Sequence, residues 1–192
     1  VDDIDYARWG LGVTTHPSRV AAVGGKFFFD DDQQFPDTQQ VAFEYPGDGK
    51  VGQKRMLIYE QRLWSTNYPY NVDSGVEFYG TEGQMFLSRR GKVQILGDRN
   101  KKIAEDLPRV EQDAPAHVRD FVDAVRQGRA SNAEIGIGHL TSSLCHLGNV
   151  ATRLGRGFSL DPVSEQVLDD EEANRLMGRS YREHWGTPRS HS

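Results

Sequence analysis

Cysteine is almost absent from this sequence: Cys145 is the only one in 192 residues, which excludes an internal disulfide and any metal site built from several thiolates. It sits inside an apolar helical pattern, where a buried structural thiol is expected. An excess of positive charge is also missing. Lys and Arg number 23 against 28 Asp and Glu, for a formal net charge of −5, and the basic residues are scattered, which argues against nucleic acid as the main partner. No apolar run approaches the ~18 residues of a membrane span, and no charged-then-apolar leader pattern is recognisable in these residues, so no membrane partner is expected. The expected compartment is the cytoplasm, with the periplasm as the alternative, since a lone cysteine tolerates either.

Several catalytic signatures are lacking as well. A dinucleotide site needs a strand running through G-x-G-x-x-G into a helix, because the glycines let backbone N–H groups approach the pyrophosphate. Here Gly10-Leu11-Gly12 follows a helical pattern, and Gly136-Ile137-Gly138 lies within one. There is no phosphate-binding loop of the nucleotide hydrolases and no G-x-S-x-G elbow. His139 and His146 are seven apart, not the i, i+4 pair that clamps zinc in metalloproteases. They share a helix face, and packing or hydrogen bonding is expected of them, with no metal bound.

What the chain does have is aromatic and apolar material for a core: 36% hydrophobic residues, with three Trp, nine Phe and seven Tyr. Alternating patterns predict strands over Val20–Phe29, Gln39–Tyr45, Met56–Trp64, Val76–Tyr79, Met85–Leu87 and Val93–Leu96. Short polar and glycine-bearing links, Gly47-Asp48-Gly49, Gly80-Thr81-Glu82-Gly83 and Arg89-Arg90-Gly91-Lys92, join them as antiparallel hairpins. The second half changes period. One helix carries His117, Phe121, Ala124 and Val125 and stops at Gly128. A second, capped by Asn132, carries Ile135, Ile137, Leu140, Leu144, Leu147, Val150, Ala151 and Leu154. A short helix over Asp169–Met177 follows. Strands first and helices after predict an α+β fold, an open, mostly antiparallel sheet of about six strands with helices packed on one face. Residues 1–185 read as one domain and 186–192 as a flexible tail. Aromatics in excess of one helical layer predict that the open sheet face meets a second copy or a ligand. The opening, Val1-Asp2-Asp3-Ile4-Asp5, enters a helix directly and predicts a part upstream.

Several runs, taken in order, resemble one family. Ile4-Asp5-Tyr6-Ala7-Arg8-Trp9-Gly10-Leu11-Gly12 is similar to the helix linking the two domains of the glucose-fructose oxidoreductase and inositol dehydrogenase (Gfo/Idh/MocA) family. Pro36-Asp37-Thr38, Phe43-Glu44-Tyr45-Pro46, Glu60-Gln61-Arg62-Leu63-Trp64 and Val76-Glu77-Phe78-Tyr79-Gly80-Thr81-Glu82-Gly83 are similar to its C-terminal sheet. So are the helix around Leu144-Cys145-His146-Leu147-Gly148-Asn149-Val150-Ala151 and the closing Tyr181-Arg182-Glu183-His184-Trp185. The resemblance implies that residues 1–12 are the remnant of an interdomain helix and that the chain walls a sugar or cyclitol site. It implies a homo-oligomer formed through the open sheet face, with NAD or NADP held by a preceding Rossmann domain missing from this chain, so that no cofactor-binding residue is expected here. In many relatives a catalytic His lies three residues before the acid matching Asp5. Asp2 stands at that position here, and a carboxylate cannot replace an imidazole near neutral pH without a strongly raised pKa.

Other candidates come from the residues themselves. Glu60, Arg62 and Trp64 alternate along a strand, a spacing at which carboxylate, guanidinium and indole bind a sugar together; an ion pair beside a core Trp is the plainer reading. The loop Trp64-Ser65-Thr66-Asn67-Tyr68-Pro69-Tyr70 is unusually aromatic and is expected to face a ligand or an interface, with Tyr68 and Tyr70 as contacts. His139 and His146 complete the substrate-side set. The leading expectation is the substrate-binding and oligomerisation domain of a sugar or cyclitol oxidoreductase. The alternatives are a glycoside-cleaving relative that works through transient NAD-dependent oxidation, and a non-catalytic, carbohydrate-binding oligomer.

Overall fold

The computed structural model describes residues 1–50, 52–104, 113–179 and 181–183. Helix α1 (Asp2–Gly10) is followed by strands β1 (Arg19–Gly25), β2 (Thr38–Tyr45), β3 (Arg55–Arg62), β4 (Val76–Tyr79), β5 (Gln84–Leu87), β6 (Val93–Leu96) and β7 (Lys102–Ala104). Helices α2 (Ala114–Gln127) and α3 (Ile135–Leu154), strand β8 (Phe158–Ser159) and helix α4 (Glu171–Met177) complete the described elements. The α+β class and the antiparallel pairing agree with the sequence. The strands, however, divide into two four-stranded sheets, ordered β3-β2-β1-β8 and β4-β5-β6-β7, where a single sheet of about six was expected. After Arg62 the chain leaves the first sheet through a turn in which Tyr70 and Asn71 both adopt positive φ, 59° and 56°, so β4 starts a new sheet by pairing forward onto β5.

In the first sheet the alternation of side chains decides which face is buried. Val20, Val41, Phe43, Tyr45 and Leu57 point to the covered face and are all at most 5% exposed. They meet Ile4 and Ala7 of α1 and Leu144, Leu147 and Ala151 of α3 in one core. Each fully buried Leu or Phe there stabilises the fold by roughly 1.5–3 kcal/mol. Close approach is required where α3 crosses β2: a Cβ on Gly148 would stand 3.0 Å from Val41 Cγ2, so glycine there lets the helix sit down on the strand. The opposite face carries Val23, Met56 and Ile58, which are 67%, 57% and 66% exposed, beside Gln40, Glu44, Glu60 and Arg62. Helix α1 joins the two sheets, its Gly10 lying under the ring of Phe78 on β4.

Strand β1 and helix α3 have boundaries that differ from the sequence pattern for identifiable reasons. Strand β1 ends at Gly25 and not at Phe29, because the backbone N–H groups of Phe27, Phe28 and Phe29 turn to donate to the carboxylate of Asp37 at 2.9–3.2 Å. Asp37 is fully buried. Burial opposes its ionisation, but those three N–H groups and the Thr38 hydroxyl hold its carboxyl well below the usual range. Helix α3 starts at Ile135, preceded by Glu134 at the cap position, and Asn132 instead donates its N–H to Asp120 Oδ2. Helix α2 is capped by Asp113 and closed by Gly128 at φ 63°, but Phe121 and Val125 on it are exposed and only Ala124 is buried. No described helix is long and apolar enough to cross a membrane. His184, Trp185 and the tail lie outside the described residues.

Candidate functional site

The covered face of the first sheet does not close completely against α1 and α3. Where the first turn of α1 meets the middle of α3, a cleft of about 120 Å³ is lined by Val1, Ile4, Gln39, Tyr59, Gln61, Cys145 and Asn149, among others. The period of β3 brings Tyr59 and Gln61 to this face together. The Tyr59 hydroxyl donates to Gln61 Oε1 at 2.6 Å, and Gln61 Nε2 donates to the Pro36 carbonyl at 2.9 Å. Burial pushes the Tyr59 phenol up, with the nearby Cys145 and Asp3 adding to it. Gln39 spends its amide on Gly148 O and Thr152 Oγ1 of α3. Asp3, on α1, has one carboxylate oxygen buried with no hydrogen-bond partner among the described residues. Such an orphan acceptor is costly unless something donates to it. A phenol and amides around a small apolar floor are groups that bond hydroxyls.

Behind the cleft, α1 is held by a buried guanidinium. Arg8, 6% exposed, donates to Thr141 Oγ1, Val13 O and Asp5 Oδ1, each at 3.1 Å, and the Thr141 hydroxyl donates to the same Asp5 oxygen at 2.6 Å. Asp5 therefore anchors α1 to α3 and does more than complement the positive end of its own helix.

The expected site residues are dispersed. Asp2 is half-exposed and paired with Arg89 at 2.7 Å, tying α1 to the β5–β6 link. Glu60 and Arg62 pair with each other at 2.5 Å, and Glu60 also accepts from Gln40. Both stand on the open face, away from the cleft. Trp64 lies beyond the end of β3, where its indole N–H donates to Thr38 Oγ1 and its ring stacks on Phe28 at 5.5 Å. Tyr68 faces an open depression of about 510 Å³ lined also by Thr66, Asn67, Pro69 and Asn71. Tyr70 packs on the second sheet: its ring stacks on Phe86 at 4.1 Å and its hydroxyl donates to Glu77, as does that of Tyr79. That bond to Glu77 pushes the Tyr70 phenol up to about 12. His146 is exposed. His139 is brought together instead with His16 and Glu165, at the opposite end of the α1–α3 contact from the cleft.

Tyr59, Gln61 and Asn149 of the cleft were not singled out by sequence. Tyr59 read as one more apolar sheet residue, and only the pairing of β2 with β3 shows that it shares a face with Gln61. The described residues do not fit a dinucleotide: both sheets are antiparallel throughout, and no glycine loop among them runs from a strand into a helix.

No curated protein matches the sequence significantly. Solved structures do match in fold. UDP-N-acetylglucosamine 3-dehydrogenase GnnA from Acidithiobacillus ferrooxidans is 17% identical with a TM-score of 0.55, over 79% of this chain and 45% of that one. The WlbA dehydrogenase from Bordetella pertussis, solved with NADH and UDP-GlcNAcA, is 14% identical with a TM-score of 0.54, over 82% and 42%. An oxidoreductase from Agrobacterium radiobacter, solved with NAD+, L-tartaric acid and magnesium, is 15% identical with a TM-score of 0.53, over 81% and 46%. The matches thus span less than half the length of these proteins. The model of the oxidoreductase family C-terminal alpha/beta domain (GFO_IDH_MocA_C2) matches residues 26–187. The ordered runs read from the sequence, the antiparallel sheet backed by α1 and α3, and this match agree: the chain belongs to the Gfo/Idh/MocA oxidoreductase family, as its C-terminal domain.

Proposed function

We propose that this chain is the substrate-side and assembly half of a nicotinamide-dependent dehydrogenase acting on a hydroxylated substrate of the sugar, cyclitol or nucleotide-sugar class. The observation that carries the reading is the cleft at the start of α1, lined by Tyr59, Gln61 and Asn149, with the unpartnered, buried Asp3 oxygen on the same first turn of α1. In this reading they orient substrate hydroxyls, and the loop carrying Trp64 and Tyr68 forms an outer wall. The NAD and NADH of two fold neighbours, and the UDP-GlcNAcA of one, support the cofactor and substrate classes. Nicotinamide, held by a preceding domain, supplies the hydride chemistry; the residues of this chain bind and position.

The test is the native gene product assayed for bound nicotinamide and for turnover with sugars, cyclitols and UDP-sugars. Bound NAD or NADP with net reduction, and a KM raised about tenfold or more by Asn149→Ala, supports the reading. A cofactor-free product with no redox turnover overturns it and favours a non-catalytic oligomer, the reading that Asp2, tied to Arg89 at the position where relatives carry His, also favours.

The open face of the first sheet is proposed as the homo-oligomer interface. Val23, Met56 and Ile58 form its apolar centre, and Glu44, Glu60 and Arg62 its charged surround, the arrangement of an apolar core with a polar rim. Placing a charge at the centre with Ile58→Glu is expected to lower the mass seen by light scattering to that of one copy while leaving the circular dichroism of the fold intact. An unchanged assembly places the interface elsewhere.

A further inference from the structure

His16, His139 and Glu165 come from three distant segments and converge on one point. His16 lies in the link between α1 and β1, His139 near the start of α3, and Glu165 in the turn between β8 and α4. His139 Nε2 stands 2.9 Å from both carboxylate oxygens of Glu165, and His16 Nε2 stands 3.1 Å from Oε1. The two rings meet edge to face with centroids 5.4 Å apart. One ligand atom from each residue lies within 4.8 Å of the other two. A tetrahedral zinc ion, with bonds of roughly 2.0–2.2 Å, separates neighbouring ligand atoms by ~3.3 Å, so the three groups already stand close to the spacing such an ion imposes.

We propose that His16, His139 and Glu165 form a site for a divalent transition-metal ion of the zinc type. Two imidazoles and one carboxylate are a donor set that suits zinc and its neighbours better than magnesium or calcium, which prefer all-oxygen shells. His16 is 4% exposed; its Nε2 contacts Glu165, and its Nδ1 has no hydrogen-bond partner among the described residues. Its Nε2 already faces the carboxylate that would share the ion. The Glu165 backbone is held at φ 58° by its N–H bond to Asp161 O, in a turn that Asp161 also closes through Val163 and Ser164. The side chains of His139 and Glu165 are 52% and 41% exposed, so an ion can enter, and a fourth position faces solvent. The bound ion staples the turn after β8 to helix α3 and to the link between α1 and β1.

The competing arrangement is a metal-free one, in which each imidazole Nε2–H donates a hydrogen bond to the shared carboxylate. The two are separated by calorimetric titration of the untagged, chelator-treated chain with Zn²⁺, repeated with Co²⁺ to read tetrahedral coordination from its visible absorption. The expected result is one ion per chain at micromolar affinity or tighter, weakened at least about tenfold by His139→Ala and by Glu165→Gln and unchanged by His146→Ala. Circular dichroism confirms that the variants, altered at half-exposed positions, remain folded. Absence of micromolar binding, or binding that His139→Ala leaves intact, overturns the proposal, as does equal weakening by His146→Ala.

Discussion

Replacing Phe43 with alanine is expected to cost about 3–5 kcal/mol of folding free energy. Phe43 is 1% exposed and sits on β2, the strand flanked by β1 and β3, opposite Val20 and Leu57. It faces the place where Leu144 and Gly148 bring α3 onto the sheet. The glycine contact with Val41 already holds helix and strand at minimum separation, so the surroundings cannot collapse far into the space left by the ring, and the cavity cost is added to the lost transfer energy. Against a total stability of about 5–15 kcal/mol this is a large share. Urea denaturation should show the midpoint falling with little change in slope. Val163→Ala, at a side chain 91% exposed, should stay within about 0.5 kcal/mol of the parent. A loss at Phe43 no larger than that would mean the face packed on α3 is not the core.

The second large effect is electrostatic. Asp5→Ala is expected to cost about 2–3 kcal/mol, because it leaves the Arg8 guanidinium buried with no carboxylate bonded to it among the described residues. The figure is set below that of a fully buried pair because the Asp5 side chain is 43% exposed. Asp5→Asn, which keeps an acceptor for both Arg8 and Thr141, should lose less. The distinguishing variant is the double change Asp5→Ala with Arg8→Met: if stranded charge is what costs, removing the charge recovers part of the loss, and the coupling appears in a double-mutant cycle. Additive losses would show that Asp5 and Arg8 act separately, through packing alone.

Local features were legible where local chemistry decides. The hairpin links, the strand alternation of β2 and β3 and the helical period of α3 all lie within short windows, and the structure contains them. The division into two sheets was not legible. A hairpin looks alike in sequence whichever sheet it joins, and the positive φ of Tyr70 and Asn71, which turns the chain out of the first sheet, occurs at residues that do not advertise it. Strand β8 has two residues, too few for any period. Asp37 stood out only as part of a motif; its cradle of three N–H groups required knowing that residues 27–29 fold back over it. The candidate site follows the same division. Asp2 lies on α1, but its partner Arg89 comes from the link between β5 and β6 of the other sheet, and His139 meets Glu165 and not His146, since nothing in a helical stripe reveals which distant turn will lie beside it.

The two-residue strand β8 has a consequence for the order in which the chain can be built. It covers the outer edge of β1 at Arg19 and Val20, and the bond from Leu160 N to Ser18 O continues that seam. During synthesis β1, β2 and β3 can zip as soon as they emerge, since their links are sequential. The edge of β1 then waits, with donors and acceptors unpaired, until the whole of α3 and the segment beyond it have been made. Closure by contacts of such long sequence separation is slow. A nascent chain stopped before Phe158 therefore presents the same three strands as the finished protein but with a sticky margin, and it is in that interval that pairing with a neighbouring unfinished copy competes with folding.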